Sequence, residues 1–204
     1  MKNKSMIVLL VLGVSLIAAR ISLAADAPVT LMTYSQGDNR LGLDAQPNET
    51  PLKIAGKAIA KGISTSTAVL EFELEQEFKS FSVDIGMTEG ATGAGTFYIL
   101  LDGAIVHQSA QAPTQDAKTI ELPCNGVGKI TLAAHVAAGD HNRAIWGNVR
   151  MLTADGKAIY LSDIIKRQKT LHFNSYHRLL GRVDPEPETK TISEAKGQKR
   201  IESD

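Results

Sequence analysis

The sequence predicts an all-β sandwich of the jelly-roll type. Between residues 52 and 152, apolar side chains recur at every second position in short segments, the signature of half-buried strands. Turn residues separate these segments at spacings of about ten to fifteen residues, and no long stretch carries a helical period. Antiparallel sheets with about eight strands between them must cover their inner faces with each other, which a two-layer sandwich does.

The strands follow in order. LKIAGKAI begins at Leu52 and AVLEFELE at Ala68, where Glu71, Glu73 and Glu75 alternate on an outward, solvated face. KSFSVDIGM, from Lys79, puts Phe81, Val83, Ile85 and Met87 on one side. In GTFYILLDGAIVHQSA, Asp102-Gly103 divides two apolar runs, and these residues tolerate the positive φ of a tight hairpin turn. KTIEL from Lys118, KITLAAHV from Lys129 and RAIWGNVRML from Arg143 supply three more strands. The last holds the chain's one tryptophan. Given an irregularity at Gly147, Ala144, Trp146, Val149 and Met151 share the inward side, so Trp146 reads as a core plug rather than a ligand platform.

Beyond Met151 the pattern changes. ADGKAIYLSDI reads as one more hairpin, and Ser162 is placed to cap a short helix in SDIIKRQK, which makes residues 153–181 a C-terminal extension. Residues 182–204 carry 11 charges in 23 positions and no aromatic, so they are expected to form a disordered, solvated tail.

The 204 residues, 43% hydrophobic, fill one domain with appendages. Residues 1–24 read as an export signal: Lys2 and Lys4, an apolar run of 14 residues from Met6 to Ala19, then small residues at Ser22 and Ala24. A spanning helix needs roughly 20 apolar residues, so cleavage and a secreted or periplasmic chain without a membrane anchor are expected. Residues 25–50 then form a partly ordered N-terminal segment. The full chain has zero formal net charge, and losing Lys2, Lys4 and Arg20 leaves the mature chain acidic, which argues against a nucleic-acid partner. The lone Cys124 has no partner for a disulfide or a zinc site and is expected to be a packed thiol.

Residues 51–152 resemble the NPCBM family, carbohydrate-binding modules related to family 51 and built on a galactose-binding-like jelly roll. PLKIAGKAIAKGIS is similar to the family's opening strand, glycine turn and lysine-glycine step. FKSFSVDIGMTEGATGAGTFYILLDGAIVHQS is similar to its central passage, where a strand ending in Gly86 leads through an acidic, glycine-rich loop to a hairpin. NRAIWGNVRML is similar to its closing strand, with alanine and tryptophan two apart. The resemblance implies a galactose-binding-like sandwich that binds carbohydrate or a glycan surface. The chain departs from the family where Ser64-Thr65-Ser66-Thr67 replace a histidine and where Asn142 and Ile145 replace acids near the tryptophan. Those departures leave open a structural or protein-interaction module that kept the jelly roll and lost the sugar site, with a partner held through the C-terminal tail. YLSDI, at Tyr160 to Ile164, is similar to a segment that precedes the opening strand in family members. It marks a degenerate second copy or a segment that folds back as an edge strand.

Jelly rolls of this kind bind ligands through loops at one end, here Lys61 to Thr67, Met87 to Gly95 and Ala137 to Arg143. Sugar hydroxyls need paired donors and acceptors, and Lys61, Ser66, Asp140, His141, Asn142 and Arg143 supply them, although Asp140 to Arg143 read equally well as an exposed turn. His107 and His135 lie within strands and are expected to be packed or surface residues. MTEGATGAG lacks the Lys-Ser/Thr step and following helix of a phosphate loop. Calcium is the metal that some related jelly rolls hold, but Glu89 offers one carboxylate against roughly six to eight oxygens, so no ligands are named and no cofactor is expected. Neither GxSxG nor HExxH nor an arguable acid-base pair occurs, and no enzyme is expected.

Overall fold

A computed structural model describes residues 28–36, 40–139, 141–168, 170–173, 188–195 and 198–203. The expected export signal lies outside them. Sixteen strands and one helix are present among these residues: β1 (Val29–Gln36), β2 (Arg40–Leu43), β3 (Leu52–Ile54), β4 (Lys57–Ile59), β5 (Gly62–Thr65), β6 (Ala68–Leu74), β7 (Ser80–Met87), β8 (Gly95–Leu101), β9 (Ala104–Gln111), β10 (Lys118–Pro123), β11 (Lys129–Val136), β12 (Ala144–Leu152), β13 (Ala158–Tyr160), α1 (Leu161–Arg167), β14 (Thr170–Phe173), β15 (Glu188–Ala195) and β16 (Gln198–Ser203). They form a jelly-roll β-sandwich. One hydrogen-bonded path runs β10-β7-β12-β5-β2-β16-β15-β14-β1-β6-β11-β8-β9, so one layer is built around β12 and the other around β11.

Side-chain period explains the layers. On β6 the residues Ala68, Leu70, Phe72 and Leu74 are buried while Glu73 is exposed, and on β8 Phe97 and Ile99 point inward. Trp146 on β12 meets Phe97 on β8 edge to face, with ring centroids 5.0 Å apart and planes at 75°. That contact joins the two layers at the centre of the core. The expected irregularity is present: the β12–β7 register shifts between Gly147 and Arg150, and Asn148 takes a positive φ of 49°. Val149 and Met151 therefore return to the core beside Trp146.

The outer face of the β12 layer is covered as well. LKIAGKAI, expected as one strand, folds as the β3–β4 hairpin, with Ala55 and Gly56 at positive φ in its two-residue turn. Leu52 and Ile54 of this hairpin bury Ile145 in a second cluster. Gly86 allows that approach, because a Cβ there would collide with Ile54.

Segments outside residues 51–152 contribute more than the sequence suggests. β1 pairs along its length with β6 and buries Val29, Leu31 and Tyr34, while β2 pairs with β5 and buries Leu41 and Leu43. In the C-terminal extension, β13 folds back on β12, and α1 buries Leu161, Ile164 and Ile165 at helical spacing. The helix starts two residues earlier than a Ser162 cap would place it. Tyr160 stands at the N-cap without a side-chain cap bond, and Ser162 is buried in the first turn. Gln168 ties the helix to β1: its Nε2 donates to the Leu31 carbonyl at 3.1 Å and its Oε1 accepts from the Leu31 amide at 2.9 Å. Within the stretch expected as a disordered tail, β15 and β16 form a hairpin between β14 and β2. Backbone pairing explains this, since two open sheet edges can be satisfied by a ladder whose side chains need not be apolar.

Trp146→Ala is expected to destabilise the protein by about 3–5 kcal/mol, the usual cost of emptying an aromatic core site, as measured by denaturant unfolding.

Candidate functional site

One end of the sandwich is built by the turn at 137–143, the loop at 88–95 and the segment at 46–51. Asn142 holds the first two together. Its Oδ1 accepts from the amides of Thr92 at 2.7 Å and Gly93 at 3.2 Å, and its Nδ2 donates to the carbonyls of Ala137 and Ala138, each at 3.1 Å. The side chain is buried, and both amide protons and the carbonyl oxygen are engaged within the fold. Gly93 is part of this fit, since a Cβ there would run into Ala137.

Arg143 is also buried. Its Nε donates to Ser64 Oγ at 3.0 Å and its Nη2 to the Ser64 carbonyl at 3.2 Å. Ser64 Oγ donates to Gln46 Oε1 at 2.7 Å, and Gln46 Nε2 donates to Thr88 Oγ1. Gln46 and Thr88 open onto a cleft of about 340 Å³, lined also by Thr50, Pro51, Lys53 and Glu89. A tight turn shapes its rim: the Gln46 amide donates to the Thr50 carbonyl, and Glu49 takes a positive φ. Lys53 and Glu89 face each other there, Nζ to Oε2 3.1 Å.

The residues expected to act together do not all meet. Ser66 follows β5 at the end near the 137–143 turn, where Thr67 Oγ1 accepts from the Val136 amide. Lys61 precedes β5 at the opposite end, roughly 16 Å of extended chain away. There Lys61 Nζ reaches Asp163 Oδ1 at 2.5 Å and Asp44 Oδ2 at 3.2 Å, and Lys166 Nζ reaches the same Asp44 oxygen at 2.5 Å. This cluster clamps α1 to the start of β5. The hydrogen bond that Lys61 donates to Asp163 is the main reason that the Lys61 pKa is raised. Burial pushes the Asp44 carboxyl up, but the bonds from Lys166, the Gly62 amide and Lys61 outweigh it and leave the pKa lowered.

His141 is exposed on the turn, and Asp140 lies outside the described residues. His107 sits on the edge strand β9 with Nε2 2.9 Å from Ser109 Oγ, and His135 is exposed on β11. Cys124 is a buried thiol, pushed by burial to about 11. Among the described residues no group of three or more His, Cys, Asp or Glu side chains is arranged to hold a metal. Sequence reasoning missed Gln46, Thr50 and Lys53 as cleft residues. Their only signal was the turn chemistry of QPNETP.

Fold and cleft together define a galactose-binding-like β-sandwich with a polar recess at one loop end. The chain belongs to the NPCBM/NEW2 domain family, whose model matches residues 23–152. That span takes in β1 and β2, in line with their place in the core. No curated protein matches the chain. Among solved structures, the fold is similar to CBM51 from Clostridium perfringens GH95, solved in complex with methyl-galactose, with a TM-score of 0.54 at 18% identity over 59% of this chain and 93% of that one. It is also similar to a Clostridium perfringens ZmpB structure comprising CBM51-2 in complex with GlcNAc and INT domains, with a TM-score of 0.52 at 15% identity over 58% of this chain. The match spans 28% of that longer chain.

Asn142→Ala should destabilise the protein by about 2–3 kcal/mol, because it strands buried loop amides, whereas His141→Ala should stay within about 0.5 kcal/mol; chemical denaturation separates the two. A carboxyl whose pKa is lowered by folding contributes stability above its unfolded value and loses that contribution as pH falls through the folded one. Melting temperature should therefore drop on acidification through the carboxylate range. Asp44→Asn, which keeps a residue tolerant of the positive φ of 60° at this position, should flatten that drop.

Proposed function

We propose that the chain is an exported, non-catalytic module that binds carbohydrate through the cleft lined by Gln46, Thr50, Lys53, Thr88 and Glu89. The polar cleft carries this reading. Its volume falls within the range of about 300–1,000 Å³ usual for small-molecule sites, and amide, hydroxyl, ammonium and carboxylate groups converge in it. These are the groups that sugar hydroxyls pair with. Family membership supports the reading, as do the similar modules solved with methyl-galactose and GlcNAc. Among the described residues no aromatic ring lines the cleft, so affinity depends on hydrogen bonds and is weak. Export rests on the signal-like residues 1–24 and places the module in the periplasm or outside the cell.

One observation favours the rival reading of a structural or protein-interaction module. Asn142 and Arg143, the polar pair before the tryptophan, are turned into the fold. Such a module would leave the folded protein unretained on every glycan.

Glycan-array and affinity-gel screening of the folded protein should show retention on a glycan containing galactose or N-acetylglucosamine. Glu89→Ala should weaken that binding by about tenfold, the worth of one hydrogen bond to a charged group, while Lys61→Ala, at the far end of β5, leaves it unchanged. Absence of retention on any glycan would reject the proposal.

A further inference from the structure

The two ends of the hydrogen-bonded strand path are built differently. β10 closes one end and carries Lys118, Glu121 and Pro123, two charges and a residue without an N–H, which discourage a foreign strand. β9 closes the other, and among the described residues no strand lies beyond it. Its eight residues, AIVHQSAQ, include no Lys, Arg, Asp, Glu, Pro or Gly. Burial, and then the charge of Lys118, lower the pKa of His107, which keeps that ring neutral as well.

Apolar surface gathers on the same strand. Ile105, 60% exposed, and Val106, 43% exposed, are the large hydrophobic side chains left exposed among the described residues. A bulge at Val106 bends the hairpin end of β9. Beyond it, His107 to Gln111 keep an unbroken register with Ile99 to Gly95, so a regular ladder presents its outer N–H and C=O groups along the edge.

We infer that β9 is a self-pairing edge, through which two copies of the chain join antiparallel about a two-fold axis. A second copy is the partner that fits. Neutral residues then meet neutral residues along the whole strand, and the contact closes at two copies. Pairing β9 with β10 of the next copy would instead run on as an open filament, and there Pro123 and the β10 charges oppose it. With the ladder centred at Ser109, Ile105 and Val106 of each copy extend onto the half-buried Ala112 and Pro113 of the other.

The pairing has a consequence for binding, which rests on the glycan-binding reading. Gln111 of β9 lies opposite Gly95, at the end of the sandwich that holds the cleft, and antiparallel copies point those ends in opposite directions. The dimer therefore bridges two glycan chains.

Sedimentation velocity of the full chain over a micromolar concentration series tests the pairing without any sugar. Dimers should form, and Ile105→Lys combined with Gln108→Lys, both at exposed positions, should weaken them by about tenfold or more by setting like charges across the axis. Glu73→Lys, on β6 three strands away in the same layer, should leave them intact. Thermal melts establish that each variant is folded; should the double variant unfold, Gln108→Lys alone decides. A chain that stays monomeric, a dimer indifferent to the β9 lysines, or growth into species larger than a dimer overturns the inference. A multivalent form of a glycan that the array shows to bind should be precipitated by the wild type and bound without precipitation by the double variant; failure of the wild type to precipitate it overturns the bridging. If no glycan binds but dimers form and the lysines split them, the glycan-binding reading falls while the pairing stands.

Discussion

The edge-to-face contact between Trp146 and Phe97 is the constraint around which the rest of the molecule is arranged. It connects β12, the centre of one layer, to β8 in the other, and it sits in a single cluster that also takes in β1, β2 and α1. Trp146 must face inward for this contact to exist. That sets the phase of β12 and sends Ile145 to the outer face, where the β3–β4 hairpin is needed to cover it. The shift after Gly147 then returns Val149 and Met151 to the core. One large side chain thus dictates the orientation of its own strand and the need for a third layer of cover.

The same strand carries the consequences to the loop end. Asn142 and Arg143 enter β12 just ahead of the tryptophan, and the inward commitment of the strand draws their side chains under neighbouring loops. Buried amides and guanidinium groups are costly unless satisfied, and here each meets partners within the fold. Asn142 ties the 88–95 loop to the 137–143 turn, and Arg143 aligns Ser64, Gln46 and Thr88. Both residues hold the cleft in shape from behind, and a recess held in place before a ligand arrives loses less entropy on binding.

Much of the fold was legible because alternation is a local signal. The strands from Ala68 to Leu152, the Asp102-Gly103 turn and the irregularity at Gly147 all follow from residues close in sequence. β1 and β2 were less visible. VTLMTYSQ and RLGL show weak alternation, and their pairing with β6 and β5 depends on distant partners. Charged composition pointed 182–204 toward solvent, yet backbone ladders placed β15 and β16 between β14 and β2. Of the residues lining the cleft, Thr88 and Glu89 belong to the loop from Met87 to Gly95 that the sequence singled out. Gln46 was not, because no periodicity marks a turn residue that reaches a cleft through a partner 42 positions away.

By itself the sequence determined the class of fold and the inward tryptophan, since both depend on residue type repeated at short, regular spacing, and it carried the resemblance to the family in three segments in their order. Only the tertiary structure decided which polar side chains line the cleft and which are absorbed by the fold. Lys61 and Ser66 lie at opposite ends of one strand, and Asn142 and Arg143 turn inward, while Gln46 and Thr88 meet across the chain. The reason is geometric. A strand separates neighbours in sequence by about 3.3 Å per residue and alternates their faces, so being near in sequence does not assemble a site; packing of distant loops does.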